Sequence, residues 1–231
     1  MQRNLLYKDY RLVRHYLIGL AIVVLGCYTF LAWGMNHLLE FNEFFANRRI
    51  AVVLSGCSYC AFVCSFFLFA LIAGNTFAQE RQDRSCEFMD ALPPNRMQRC
   101  TSKAVVIAVP LLISVAINTL VAFLANRIAV EAAIADRVIP MGVVVDIVFL
   151  LLGSIGIAWC ISSMANGTGA PILLGLISPL LIMYVVFLVN YALGHEARDF
   201  EFLHQSGRAG LVAGIIGFLM GSLWFIREGR A

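Results

Sequence analysis

With 231 residues, 61% of them hydrophobic and 13% charged, the chain is too apolar for a soluble globular domain of ordinary composition. Its mean hydropathy of +0.83 places it in lipid. The formal net charge of +3 comes from basic residues spread over every connecting segment, which argues against nucleic acid as a partner.

A spanning helix needs about 20 mostly apolar residues to cross roughly 30 Å of hydrocarbon. Six stretches qualify, approximately 16–39, 50–77, 104–125, 138–164, 170–193 and 209–226. The expected fold is therefore an all-α polytopic membrane protein with six transmembrane helices, with residues 1–231 forming one transmembrane domain. The first stretch is longer than the apolar part of a cleavable signal, about 7–15 residues, and no small-x-small site follows it. It reads as an uncleaved span.

Placing the N-terminus in the cytoplasm puts Arg3, Lys8, Arg11, Arg14, Arg81, Arg84, Arg96, Arg99, Lys103, Arg227 and Arg230 inside. Arg48, Arg49, Arg127, Arg137, Arg198 and Arg208 remain outside. The positive-inside rule prefers this orientation, with both termini cytoplasmic in the cell inner (plasma) membrane.

Residues 2–15 read as an amphipathic helix at the inner interface, with Leu6, Tyr10, Val13 and Leu17 on one side and Lys8, Arg11 and His15 on another. The plainer alternative is a basic flank that orients span one. In span two, Cys57, Cys60 and Cys64 share a helical face; cysteine serves there as a small buried hydrophobe, and the sequence places no histidine or fourth thiol beside them. No metal ligands are assigned. Cys27 and Cys160 also fall in spans, Cys86 and Cys100 in the inner connection, and none in the outer loops, so no external disulfide is expected.

Residues 78–103 form the longest polar stretch, broken by Pro93-Pro94. A short helix before the prolines carries Glu80, Arg81, Asp83, Arg84 and Glu87, with Phe88, Met89 and Leu92 as an apolar patch. It reads as a docking element; the alternative is a solvated connection, which rarely needs such length. Further along, Pro110 and Pro179 interrupt spans three and five, where kinks are expected. Asp146, near the outer end of span four, is the carboxylate inside a predicted span. It marks either a pathway or an interfacial helix pair, and Asn118 and Asn190 are weaker cases. Gly207, Gly210, Gly214, Gly217 and Gly221 keep one face of span six free of side chains for close packing, within the chain or against a second copy. The four histidines fall at span edges or in loops.

No Gly-x-x-x-x-Gly-Lys-Ser/Thr loop is present, so the chain has no phosphate-cradling loop of that kind. No nucleophile and base stand at a recognisable spacing, and no catalytic or cofactor-binding residues are assigned.

The run from Gly74 to Arg96 followed by Lys103 resembles the ABC-2-type permease family. Phe77, Glu80, Arg81, Glu87, Leu92, Pro93, Arg96 and Lys103 match its pattern, and Ser85 stands where threonine is common. Pro94-Asn95 and Phe88-Met89 depart from it. The basic opening, Leu6 to Arg14, is similar to the family's start. The resemblance implies a dimeric membrane unit, made with a second permease copy or paralogue in membrane lipid and bound to separate ABC ATPase subunits. ATP and Mg would then be held on those partners. Residues 78–92 would be the coupling helix, with Glu80, Arg81, Asp83, Arg84, Glu87 and Phe88 docking the ATPase, and the direction would be export of an amphiphile. The competing expectation is a non-transporting scaffold or sensor that recruits a cytoplasmic partner through residues 78–103. An ion-coupled carrier would need a partner cation for Asp146 within the membrane, which the sequence does not offer.

Overall fold

The structure is a computed structural model that describes residues 2–38, 46–82, 95–131, 139–192 and 199–227. All the described secondary structure is helical: α1 (Gln2–Leu38), α2 (Ala46–Gln82), α3 (Arg96–Glu131), α4 (Met141–Met164), α5 (Gly169–Ala192) and α6 (Asp199–Arg227). Each helix contains a window long and apolar enough to cross a membrane. This is a six-span, multi-pass membrane protein.

Successive helices run in opposite directions. The end of the bundle holding the starts of α1, α3 and α5 and the ends of α2, α4 and α6 is called proximal here, and the opposite end distal. At 37 residues, α1 and α2 would each extend roughly 55 Å, far beyond the hydrocarbon thickness. The polar turns at the ends of the apolar windows thus continue the helices instead of ending them.

This differs from the sequence-based expectation in two places. Residues 2–15 are helical as expected, but they continue without a break into the first span as part of α1. Leu5, Asp9 and Leu20 are buried and Val13 and Leu17 pack partly buried against the core, whereas Tyr10 of the expected stripe is exposed. Residues 78–82 and 96–103, expected in the inner connection, belong to α2 and α3, so Cys100 sits on a helix as well.

The central helices are α2 and α4, whose spanning windows are 50% and 56% buried, against 6% for α1 and 11% for α5. Exposed apolar side chains such as Ile22, Leu25, Leu180 and Val185 cover the peripheral helices, as a lipid-facing surface requires. The core centres on Trp159 of α4, with Phe77 edge-on at 4.7 Å between ring centroids and Phe218 at 5.0 Å. Its indole N–H donates to Ser222 Oγ at 3.2 Å, satisfying the one polar group of a nearly fully buried ring.

The glycine face of α6 packs on α4 within the chain. A Cβ on Gly214 would stand 2.5 Å from the Leu152 carbonyl oxygen, one on Gly217 2.7 Å from that of Gly156, and one on Gly221 2.7 Å from Cys160 Cα. Gly210 answers Gly153 of α4, where an added Cβ would lie 2.6 Å from the Gly210 carbonyl oxygen. Backbones meet most closely where Gly210, Gly214 and Gly217 face Gly153 and Gly156, with no side chain on either partner, so dispersion and close fit replace the hydrophobic effect that lipid cannot supply.

Pro110 and Pro179 lie inside unbroken helices. Pro179 has no N–H for the Gly175 carbonyl, and the Ser178 hydroxyl donates to that oxygen at 2.8 Å instead.

Candidate functional site

The longest polar connection expected from the sequence is flanked by the end of α2 and the start of α3. At this proximal edge four charged side chains from three helices converge. Lys103 Nζ of α3 lies 3.0 Å from Glu80 Oε1 of α2 and 3.9 Å from Asp9 Oδ1 of α1. It also donates to the Thr76 carbonyl oxygen at 2.8 Å and stands 5.4 Å from the centre of the Phe77 ring. Lys8 Nζ reaches the same Glu80 oxygen at 2.9 Å, and Ser102 Oγ donates to Asp9 Oδ2 at 2.5 Å.

Three members of this cluster are buried, with side-chain exposures of 4% for Lys103, 7% for Glu80 and 5% for Asp9, while Lys8 keeps 36%. Among the described residues two ammonium groups face two carboxylates, so the four ionised groups sum to zero charge. That balance is what makes burial tolerable, since an unpaired ion in such surroundings costs several kcal/mol. The four side chains therefore act as one unit.

On its other flank the end of α2 is fastened to α4. Ser162 Oγ accepts from the backbone N–H groups of Phe77 and Ala78, at 3.0 and 3.1 Å, and the Arg81 guanidinium donates to the Ser163 carbonyl oxygen. Arg96, at the start of α3, donates to the Phe225 carbonyl oxygen of α6 at 3.3 Å. The helix ends on both sides of residues 83–94 are thereby joined to α1, α4 and α6.

A cavity of about 230 Å³ opens on the cluster between α1, α2 and α3, walled by Leu12, Tyr16, Ile72 and Val106. A second, apolar cavity of about 400 Å³ lies between α3, α4 and α6, lined by Leu111, Leu152, Ile155, Trp159, Ile215 and Phe218.

The description ABC-2 family transporter protein matches residues 8–203. The chain belongs to the ABC-2 transporter family. It is thus the membrane permease subunit of an ABC transporter, a class in which nucleotide binding generally resides on another subunit. No curated protein and no solved structure matches this permease.

Of the residues singled out for docking, Glu80 and Arg81 are described, and both side chains bond to neighbouring helices of the permease. Asp83, Arg84, Glu87 and Phe88 lie outside the described residues. Asn118 is fully buried on α3, where its Oδ1 accepts from the Tyr28 hydroxyl of α1 at 2.7 Å and its Nδ2 donates to the Ser114 carbonyl oxygen. Asp146 is buried at the distal end of α4, with Oδ1 2.9 Å from His204 Nδ1 of α6. Neither residue lines the two cavities described above. Asn190 of α5 donates to Gln205 of α6 at 2.6 Å.

Sequence reasoning passed over Asp9, Ser102 and Ser162. Asp9 did leave a signal: Leu5, Asp9, Leu12 and Tyr16 follow helical spacing, so one carboxylate interrupts an apolar stripe.

Proposed function

We propose that this permease couples ATP hydrolysis on a separate ABC ATPase subunit to the export of an amphiphilic substrate. In this reading both termini face the cytoplasm of the inner (plasma) membrane, and ATP and Mg bind only on the partner. A second permease copy or paralogue completes the membrane unit. Residues 83–94 dock the ATPase through Asp83, Arg84, Glu87 and Phe88, and Glu80 and Arg81 anchor that segment to the bundle.

The observation that carries the coupling reading is the buried cluster of Asp9, Glu80 and Lys103 at the base of the proposed docking segment. A displacement of residues 83–94 has to pass through the helix ends that hold them, and those ends are tied to α1 by charges that separate only at high cost. Motion of the ATPase would therefore move α1, α2 and α3 together. The apolar cavity between α3, α4 and α6 suits the hydrocarbon part of an amphiphile, and its volume falls within the ordinary range for ligand pockets, about 300–1,000 Å³.

Co-reconstitution with the ATPase subunit in liposomes tests this reading. Glu87→Lys with Phe88→Ala is expected to abolish both ATP-dependent flux and the stimulation of ATPase activity, while the permease still elutes as a folded species. Full flux in that variant would remove the docking role, and a wild-type complex that hydrolyses ATP without moving any amphiphile would favour a membrane scaffold.

A further inference from the structure

The spanning region holds a thiol pair that the coupling reading does not use. Cys27 of α1 and Cys64 of α2 face each other with their sulfur atoms 3.6 Å apart. Cys57 sits further along the same seam, 3.9 Å from the Tyr28 carbonyl oxygen, and Cys60 lies on the same face of α2 between them. The spacing within α2 gave three thiols on one face, and the fold supplies the fourth from another helix.

We propose that Cys27 and Cys64 form a two-coordinate site for a soft monovalent cation of the copper(I) or silver(I) class. Thiolate sulfur selects such ions over hard cations. Among the described residues no group of three or more histidine, cysteine or acidic side chains gathers into a metal site. Two ligands leave a tetrahedral zinc site incomplete but satisfy a closed-shell monovalent ion. Taking the zinc–sulfur bond length of about 2.3 Å as a guide, a linear arrangement spans about 4.6 Å, so the sulfur atoms have to separate by roughly 1 Å from their present contact. Small rotations of two side chains on neighbouring helices achieve that.

The proton balance follows from the medium. On binding, one S–H bond breaks and its proton passes to bulk water, a metal–thiolate bond forms, and the second thiol donates a lone pair while keeping its proton. The product is neutral, whereas loss of both protons would leave a net negative charge in the hydrocarbon region, where an unpaired charge is costly. No oxidant or reductant enters.

Silver(I) is the probe, added to the full-length protein in nanodiscs in chloride-free buffer. About one silver ion per chain is expected to bind first at this site. It should release about one proton and protect Cys27 and Cys64 from maleimide alkylation, as read by mass spectrometry, ahead of Cys100 and Cys160. Cys27→Ser and Cys64→Ser should each abolish that first equivalent, while Cys57→Ser and Cys60→Ser retain it. The alkylation pattern of the wild-type protein decides the matter even where a serine variant fails to fold. Protection spread evenly over all the thiols, or a first equivalent undiminished in a folded Cys27→Ser variant, would overturn the site.

Discussion

Replacing Lys103 by alanine is the most severe perturbation of the proximal cluster. Its ammonium group is the contact shared by both buried carboxylates, 3.0 Å from Glu80 and 3.9 Å from Asp9. Among the described residues, removal leaves Asp9 with the Ser102 hydroxyl as its hydrogen-bond donor and Glu80 with Lys8 as its remaining lysine, while the Thr76 carbonyl oxygen loses a donor. Breaking a buried pair from one side costs about 3–5 kcal/mol. Lys8 keeps 36% of its side chain exposed, and Glu80 retains Lys103 when Lys8 is lost. Lys8→Ala should therefore cost no more than about 1 kcal/mol. The assay is reversible unfolding in mixed SDS micelles, followed by tryptophan fluorescence because Trp159 packs on Phe77 beside the cluster. Glu80→Gln combined with Lys103→Met should cost less than the sum of the two single changes, by about 1–3 kcal/mol, since each single change strands the other's partner. Equal losses for Lys8→Ala and Lys103→Ala, or strict additivity in the double variant, would refute the view that these charges form one unit.

Other substitutions probe the rest of the bundle. Gly156→Ala drives a Cβ into the Gly214 backbone and should cost about 1–3 kcal/mol, whereas Gly142→Ala, with nothing within 4 Å, should be neutral or mildly stabilising in the same unfolding assay. Asn118→Leu strips the Tyr28 hydroxyl of its acceptor and should cost about 1–2 kcal/mol; adding Tyr28→Phe should recover part of that loss in a double-mutant cycle. Asp146→Leu deprives His204 of its buried partner and should destabilise the distal contact of α4 with α6, read as faster hydrogen exchange around residues 199–208, with less effect on the proximal ends.

The six spans were legible because crossing hydrocarbon imposes a composition that a single sequence displays. The ends of the helices were not, because a charged residue marks where lipid stops and leaves the backbone free to remain helical, as Arg81 and Arg99 show. The glycine face of α6 announced close packing, but only the fold identifies α4 as its partner. Glu80 and Lys103 stood out by resemblance, yet their pairing did not, and Asp9 was missed. The cluster joins residues 72 and 93 positions apart, Lys8 with Glu80 and Asp9 with Ser102, and no local pattern encodes such a meeting. Cys27 went unnoticed beside Cys64 for the same reason.

The most direct test of the coupling claim is site-specific photocrosslinking in native membranes. A photoreactive residue is placed in turn at positions 84 and 88 and, as controls, at exposed positions 130 and 191 of α3 and α5. Positions 84 and 88 are expected to capture an ATP-hydrolysing subunit, and the controls are not. Absence of such a subunit from the adducts at 84 and 88, with the permease folded and present in the membrane, would contradict the coupling claim.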